Sequence, residues 1–297
     1  MSILNLKSFL YRKSNRFREV MFYLRFIRHL RYKPNFLCPQ TFNEKIVHRK
    51  KNSQNKLFKQ CSDKVLAKEW VISKGFADIV IPNYFLSDKI ECNIILSYIN
   101  QYGSILIKAN HNSGPVFLLS KENTEEEILN VCISVNNQLK VDYGKLQGEL
   151  WYSDINRKIL IEKRIYPEDG ENDLKDYKFH VFKQHDGSFK IVLQVDFDRS
   201  TNHNRSFFDE NLNWLPFSLE YPTVQTKLLE PKNYQKMLDI VKKLAEPFSY
   251  VRVDLYNVDG IIYFGELTFA HGSGTEIFSN VAYDKWMGKL WVGNPRD

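Results

Sequence analysis

The stretch Arg252-Val-Asp254-Leu-Tyr-Asn-Val-Asp259-Gly260-Ile-Ile-Tyr-Phe-Gly-Glu266-Leu-Thr268 decides how this chain is read. Branched and aromatic residues flank an Asp-Gly dipeptide, which readily reaches positive φ, so the segment is predicted to be a β-hairpin turning at Asp259-Gly260. Asp254 and Glu266 lie almost equally far from that turn and are expected to meet across the two strands. Alternation along each strand places Arg252, Asp254 and Tyr256 on one face, and Phe264, Glu266 and Thr268 on one face of the partner. Two carboxylates beside an arginine can hold Mg²⁺, a hard cation that prefers oxygen ligands and bridges nucleotide phosphates. They can equally be a cross-strand ion pair on a solvated sheet face.

Earlier in the chain, Ile105-Leu-Ile-Lys108-Ala-Asn-His-Asn-Ser113-Gly114 is an apolar strand ending in a lysine, followed by a small polar loop. Backbone N–H groups in such a loop can surround phosphate oxygens while the lysine supplies a point charge. Leu160-Ile-Glu162-Lys-Arg-Ile165 is a strand carrying an acidic residue between apolar ones. Asp196-Phe-Asp198 ends another apolar strand, as nucleotide-sugar glycosyltransferases present carboxylates to Mn²⁺; that enzyme class is the rival reading. Arg199, His203 and Arg205 follow, and could either clamp an anionic acceptor or form surface ion pairs. The other histidines show no metal spacing and no GxSxG elbow occurs, which argues against a hydrolase.

With 297 residues, 43% hydrophobic and 14% aromatic, the chain can bury a sizeable core. Cys38, Cys61, Cys92 and Cys132 form no CxxC pair and read as thiols of a reducing compartment, and no signal peptide or membrane span is legible, so a cytoplasmic protein is expected. The net charge of +7 is concentrated in residues 1–33, which hold nine basic residues against Glu19 alone. The body is therefore almost neutral, and a nucleic-acid-binding surface is not expected. If Arg18 to Arg31 is helical, Val20, Phe22, Tyr23, Leu24, Phe26, Ile27 and Leu30 share a broad face, with Arg18, Arg25 and Arg28 opposite. Such a helix can lie on the inner membrane surface, making the protein peripheral, or pack on the protein's own body.

Capping boxes at Thr41/Glu44 and Thr124/Glu127 open two predicted helices, to about Lys51 and Val135. Further helices are expected over Ser62–Lys74 and Tyr234–Ala245. Strands are expected over Ile79–Leu86, Ser104–Lys108, Ile159–Ile165, Tyr177–Phe182, Phe189–Phe197, Tyr250–Tyr256 and Ile261–Leu267. The fold class is α+β, with helices weighted to the first half and an antiparallel sheet to the second.

The order of these motifs resembles the ATP-grasp superfamily, and most closely its TupA-like family, named for teichuronopeptide synthesis. The resemblance covers roughly residues 35–290. It rests on Thr41-Phe-Asn-Glu-Lys45, Ser62-Asp-Lys64, Lys108 to Gly114, Gln194-Val-Asp-Phe-Asp-Arg199 through His203, and Val251 through Thr268 to Gly272-Ser-Gly274. It implies a nucleotide cleft between a small lid subdomain and a C-terminal antiparallel sheet, organised as a basic segment 1–33, an N-terminal subdomain 34–100, a lid 101–165 and a C-terminal subdomain 166–297. It implies ATP and Mg²⁺ as cofactors. Lys64, Lys108, Ser113, Gly114 and Lys178 would then surround the phosphates, Glu162 would meet the adenine at the hinge, and Asp176 the ribose. Asp254, Glu266 and Thr268 would be metal ligands, with Arg252 and Lys108 catalytic. Asp196, Asp198, Arg199, His203, Arg205, Gly272, Ser273 and Gly274 are candidates for substrate contact. The implied reaction activates a carboxylate, that of a hexuronic acid, as an acyl-phosphate and joins it to an amino acid or amine in polysaccharide assembly. The partners implied are a sugar acid, free or as a lipid-linked glycan, and that amine. Thr268 stands where many members place an asparagine ligand, and His271 where proline precedes the glycine.

Overall fold

The computed structural model describes residues 15–53, 55–168, 173–197 and 201–297. Its elements, in chain order, begin with helices α1 (Asn15–Leu30), α2 (Phe42–Asn52), α3 (Lys56–Ser62) and α4 (Leu66–Ser73). A first sheet follows with two covering helices: β1 (Asn83–Ser87), α5 (Cys92–Tyr102), β2 (Ser104–Ala109), β3 (Val116–Ser120), α6 (Glu125–Gln138), a short α7 (Tyr143–Gln147) and β4 (Ile159–Lys163). The second half holds β5 (Asp176–Lys183), β6 (Phe189–Phe197), β7 (Asn204–Asp209), β8 (Trp214–Leu215), α8 (Tyr234–Ala245), β9 (Tyr250–Val258), β10 (Ile261–Thr268) and α9 (Val281–Leu290). The α+β class is as expected, and both capping boxes form, at α2 and α6.

β1, β4, β2 and β3 make a four-stranded antiparallel sheet in that spatial order. Ile105 and Ile107 of β2 and Ile159 and Ile161 of β4 point toward α5 and α6, where Ile95, Ile99, Ile128 and Val135 complete a small core. Alternation then sends Lys108 and Glu162 to the opposite, uncovered face.

The six-stranded sheet, β10-β9-β5-β6-β7-β8, is antiparallel throughout. One face is largely apolar: Tyr177, Phe179, Val181, Leu193, Val195, Val253 and Leu255 pack with Met237, Val241 and Leu244 of α8 and with Phe58 and Trp70. The other face is divided. Its near end, Phe182, Val192, Phe207 and Tyr250, is roofed by Phe42 and Ile46 of α2 and by Met287 and Trp291. Its far end carries polar and charged side chains, so the same strands build a core and a site.

The differences from expectation are local. The helix expected over Ser62–Lys74 is interrupted, because Asp63 caps the preceding α3 and its carboxylate accepts from the Val65 N–H. The strand expected over Ile79–Leu86 begins only at Asn83. Phe264 does not share a face with Glu266: it is buried in the main core, because a bulge between Phe264 and Glu266 shifts the register. In α1, Phe26 is fully buried and meets Tyr32 and Phe36 edge-on, while the Lys50 ammonium lies 5.0 Å from the Phe22 ring centre. Val20 and Leu24 of the same helix stay exposed. Among the described residues no helix is long and apolar enough to cross a membrane.

Candidate active site

Asp259 and Gly260 turn the β9–β10 hairpin with φ of 50° and 89°, the two-positive-φ geometry of a tight two-residue loop closed by Val258 and Ile261. From there the ladder runs to the bulge at Gly265. A side chain at Gly265 would place its Cβ 3.0 Å from the Asp254 carbonyl oxygen, so glycine permits the close approach that the bulge needs. Beyond it Glu266 pairs directly with Asp254, and Thr268 with Arg252. The bulge therefore turns Glu266 onto the polar face; strict alternation from Phe264 would have aligned that face with the core.

Arg252 grips Asp254 with both arms, Nε to Oδ1 at 2.7 Å and Nη2 to Oδ2 at 2.6 Å, and reaches Glu266 Oε1 at 3.0 Å. Burial works against the guanidinium charge, but Asp254 and Glu266 together outweigh it and raise Arg252 above its ordinary value. Burial raises the Asp254 carboxyl, with Arg252 opposing and Asp176 and Glu266 adding to the rise. Glu266 is held below its ordinary value: burial alone would raise it, but Arg252 and Lys64 prevail. The Thr268 hydroxyl donates to Glu266 Oε1 at 3.2 Å.

The array continues across the sheet. Lys178, opposite Asp254 on β5, donates to Asp176 and, at 3.0 Å, to Asp196. Asp196 also accepts from Arg205 Nε at 2.7 Å, and His203 Nε2 lies 3.4 Å away. Burial would raise the Asp196 carboxyl, yet Lys178 and Arg205 hold it well below the carboxylate range. Asp196 is thus committed to cations on its own sheet. Arg252 Nη1 also donates to His271 Nδ1 at 2.6 Å. A guanidinium can only donate, so Nδ1 is the acceptor and the His271 proton sits on Nε2, 2.7 Å from Glu276 Oε2. Asp198 and Arg199 lie outside the described residues.

Facing this array is the uncovered side of the smaller sheet. Glu162 is buried between Lys108 Nζ at 2.5 Å and Lys68 Nζ, and Lys68 also donates to the Ile81 carbonyl at 2.7 Å. Burial would raise Glu162, but Lys108 and Lys68 keep it below its ordinary value. Lys64 lies between the two clusters: burial lowers it to about 8, while Glu266 supports its charge and Lys108 opposes it. Its ammonium donates to the Asn112 carbonyl. The loop after β2 is more firmly held than a free lid would be. Asn110, His111 and Asn112 are buried, and the Asn110 amide donates to Asp63 Oδ1 and the Asn156 carbonyl. Exposure begins at Ser113, with Gly114 half-buried behind it.

The turn Gly272-Ser273-Gly274 has positive φ at all three positions. Gly274 is packed so tightly that a Cβ would stand 2.9 Å from the Asn43 carbonyl, which fixes the turn against α2. Sequence reading missed Lys68, Glu276, Lys50 and Glu149. Lys68 follows Lys64 by four residues, a helical spacing that could have exposed it. The others meet the site only through chain folding.

The donor set suits Mg²⁺. Asp254, Glu266 and Thr268 offer oxygen alone, the Glu266 side chain is 39% exposed, each Asp254 oxygen keeps a second lone pair beyond its arginine bond, and Glu266 Oε2 takes no part in the bonds that Arg252 and Thr268 make to Oε1. Among the described residues no three His, Cys, Asp or Glu side chains converge as metal ligands. The ion would therefore need further oxygens from outside the protein, which nucleotide phosphates and water provide.

Comparison with solved structures finds D-alanine-D-alanine ligase from Helicobacter pylori, with 15% identity, TM-score 0.49, and coverage of 78% of this chain and 60% of that one. It also finds D-alanyl-alanine synthetase A from Vibrio cholerae, with 10% identity, TM-score 0.46, and coverage of 80% and 66%. N5-carboxyaminoimidazole ribonucleotide synthetase from Thermus thermophilus is similar at 14% identity and TM-score 0.42, over 73% and 49%. The chain thus spans less than two thirds of the first of these structures. Comparison with curated proteins gives no match. The family described as TupA-like ATPgrasp matches residues 44–292, from α2 through α9 and with both charge clusters inside the match, so the chain belongs to the TupA-like ATP-grasp family.

Proposed function

We propose that this protein transfers the γ-phosphoryl group of ATP to a carboxylate and joins the resulting acyl-phosphate to an amine, forming an amide. The observation that carries this reading is the pairing of Asp254 with Glu266 on a sheet face opposite Lys68, Lys108 and Lys64. Phosphoryl transfer asks a protein for little covalent chemistry and much charge placement. Lys64 and Lys108 supply positive charge to the phosphates, Arg252 faces the transferred group, and Asp254, Glu266 and Thr268 hold the ion. Mg²⁺, when bound, would neutralise phosphate charge and align the γ-phosphoryl group. Ser113 and Gly114, at the exposed tip of the β2 loop, cover the phosphates, and Glu162 and Asp176 border the nucleoside.

The carboxylate is proposed to belong to a hexuronic acid of a cell-surface polysaccharide, such as a capsule or lipopolysaccharide, and the amine to an amino acid. Arg205, His203 and the Gly272–Gly274 turn border the space left for them. Residues 1–33 would keep the enzyme at the inner membrane face; the exposed Val20 and Leu24 beside Arg25 and Arg28 support this. The test is ADP release against a panel of uronic acids and amino acids, with hydroxylamine present to trap the acyl-phosphate as a hydroxamate. Stimulation by a uronic acid is the expected result. Consumption of UDP-sugars without any uronic-acid-dependent ADP overturns the proposal.

A further inference from the structure

Beside the metal-site hairpin lies a buried acid to which the phosphoryl-transfer reading gives no task. Glu149 follows α7, is 6% exposed, and accepts a hydrogen bond from the Ser273 hydroxyl at 2.9 Å. Lys50 Nζ donates to the same hydroxyl at 2.8 Å and to the Ser273 carbonyl at 3.1 Å. An ammonium only donates, so the Ser273 proton points at Glu149 and the orientation of the group is fixed. No other hydrogen bond to the Glu149 carboxylate is seen among the described residues. Its position is set from two sides. Ser273 is five residues beyond Thr268 on the chain leaving β10, and Tyr143, close enough to influence Glu149, also lies beside Ser113 at the tip of the β2 loop. Glu149 therefore lies between the loop proposed to cover the phosphates and the strand that carries Glu266. Tyr143, Tyr152 and Ser273 around it are only half-buried, so open space begins one side chain away from the group.

We infer that Glu149 is the base that takes a proton from the amine nucleophile, with Ser273 and Lys50 as its positioning residues. This rests on the amide-forming reading above. The amine arrives as R–NH₃⁺ and Glu149 removes one proton, freeing the nitrogen lone pair to attack the acyl carbon. The C–N bond forms, the C–O bond to phosphate breaks, phosphate leaves carrying a second nitrogen proton, and Glu149 returns its proton to water. Burial raises the Glu149 carboxyl to about 7, with Lys50 and Ser273 opposing and Glu266 adding to the rise, which suits a base working near neutrality. The titratable groups facing it are Lys50, Tyr143, Tyr152 and Glu266.

Hydroxylamine separates the steps, because it is largely unprotonated at neutral pH and needs no base. The full-length protein is given ATP, Mg²⁺, glucuronic or galacturonic acid, and either hydroxylamine or one of glycine, lysine and glutamate. Glu149→Gln is expected to lower amide formation about 100-fold and hydroxamate formation less than tenfold, with partial recovery of amide in Glu149→Asp. The wild-type rate with amine should rise with pH through about 7, a limb absent in the Gln variant. Equal loss of amide and hydroxamate makes Glu149 merely structural and overturns the inference, as does undiminished amide formation in Glu149→Gln or a wild type that makes hydroxamate but no amide. Absence of hydroxamate in the wild type overturns the ligase reading itself. Fold integrity is read independently. Between the ordinary carboxylate range and about 7 the folded state holds a proton the unfolded chain has lost, so stability falls as pH rises through that window. Glu149→Gln should then melt above the wild type at pH 8 and level with it near pH 4.

Discussion

In the four-stranded sheet one carboxylate, Glu162, lies between two ammonium groups, while in the six-stranded sheet two carboxylates, Asp254 and Glu266, share one guanidinium. The first cluster carries a net positive charge and the second a net negative one. The lysine side can accept an anion and the carboxylate side a cation, so a magnesium nucleotide presents each sheet with the charge it lacks. Burial sharpens the contrast, because neither surplus is well compensated by water. Lys64, influenced by Glu266 on one side and Glu162 on the other, marks where the two fields meet.

The strongest way to break this contrast is at Asp254. Asp254→Asn removes the bidentate partner of a buried arginine and should cost about 3 kcal/mol of stability, read from the urea midpoint at constant slope. ATP-dependent turnover should fall at least about 1000-fold. Glu266→Gln, at a half-open position, should cost under about 1 kcal/mol and about 100-fold in turnover; full activity in either variant removes the metal assignment. On the positive side, Lys68→Met and Lys108→Met should each weaken ATP binding about tenfold by calorimetry, and the double variant by less than the product, since both lysines lean on Glu162. Additive losses would mean that the cluster does not act as a unit.

Gly265→Ala tests how the carboxylate pair is aligned. Crowding against the Asp254 carbonyl should cost about 1–2 kcal/mol and move Glu266, lowering turnover about tenfold with little change in ATP affinity. Acid stability provides a further test. Burial would raise Glu276, but His271 and Arg205 hold it at about 2. Its contribution is present above the ordinary carboxylate value and is lost as pH falls toward 2, so Glu276→Gln should flatten the acid limb of an unfolding profile. The smallest effect on function is expected at Thr124→Ala, which removes an N-cap far from both clusters, costs about 1 kcal/mol of stability and leaves ATP binding unchanged.

Much of this was legible in the chain itself, and what escaped did so for definite reasons. The Asp259-Gly260 turn, both capping boxes and the two strands that carry Lys108 and Glu162 are local, and local chemistry determines them. The partnership of Asp254 and Glu266 was also readable, but not its mechanism, because a bulge leaves only a glycine as its trace. Lys68 escaped because its significance depends on reaching Glu162 across 94 positions of chain. Glu149 depends on the segment after β10 reaching the end of α7, and Glu276 on the same segment reaching Arg205 of β7, and a single sequence does not encode that proximity in any pattern. Helix α5 was overlooked although Ile95 and Ile99 mark its buried stripe, since Asn93, Ser97 and Asn100 dilute the periodicity.

Arg49 has a bearing on all of these tests. Fully buried, it donates to the Tyr250 carbonyl at 2.8 Å and to the Phe269 carbonyl at 3.3 Å, and it also holds the Pro295 and Asp297 carbonyls. Tyr250 begins β9 and Phe269 follows the last residue of β10. The hairpin is thus a beam supported at both ends, by its own tight turn and by a planar cation. A hairpin held only at its turn frays from the open end; this one should show backbone amides near Val251 and Leu267 exchanging as slowly as those near Val258. Arg49→Lys, with one ammonium for those carbonyls and the Ser249 hydroxyl, should release that end first.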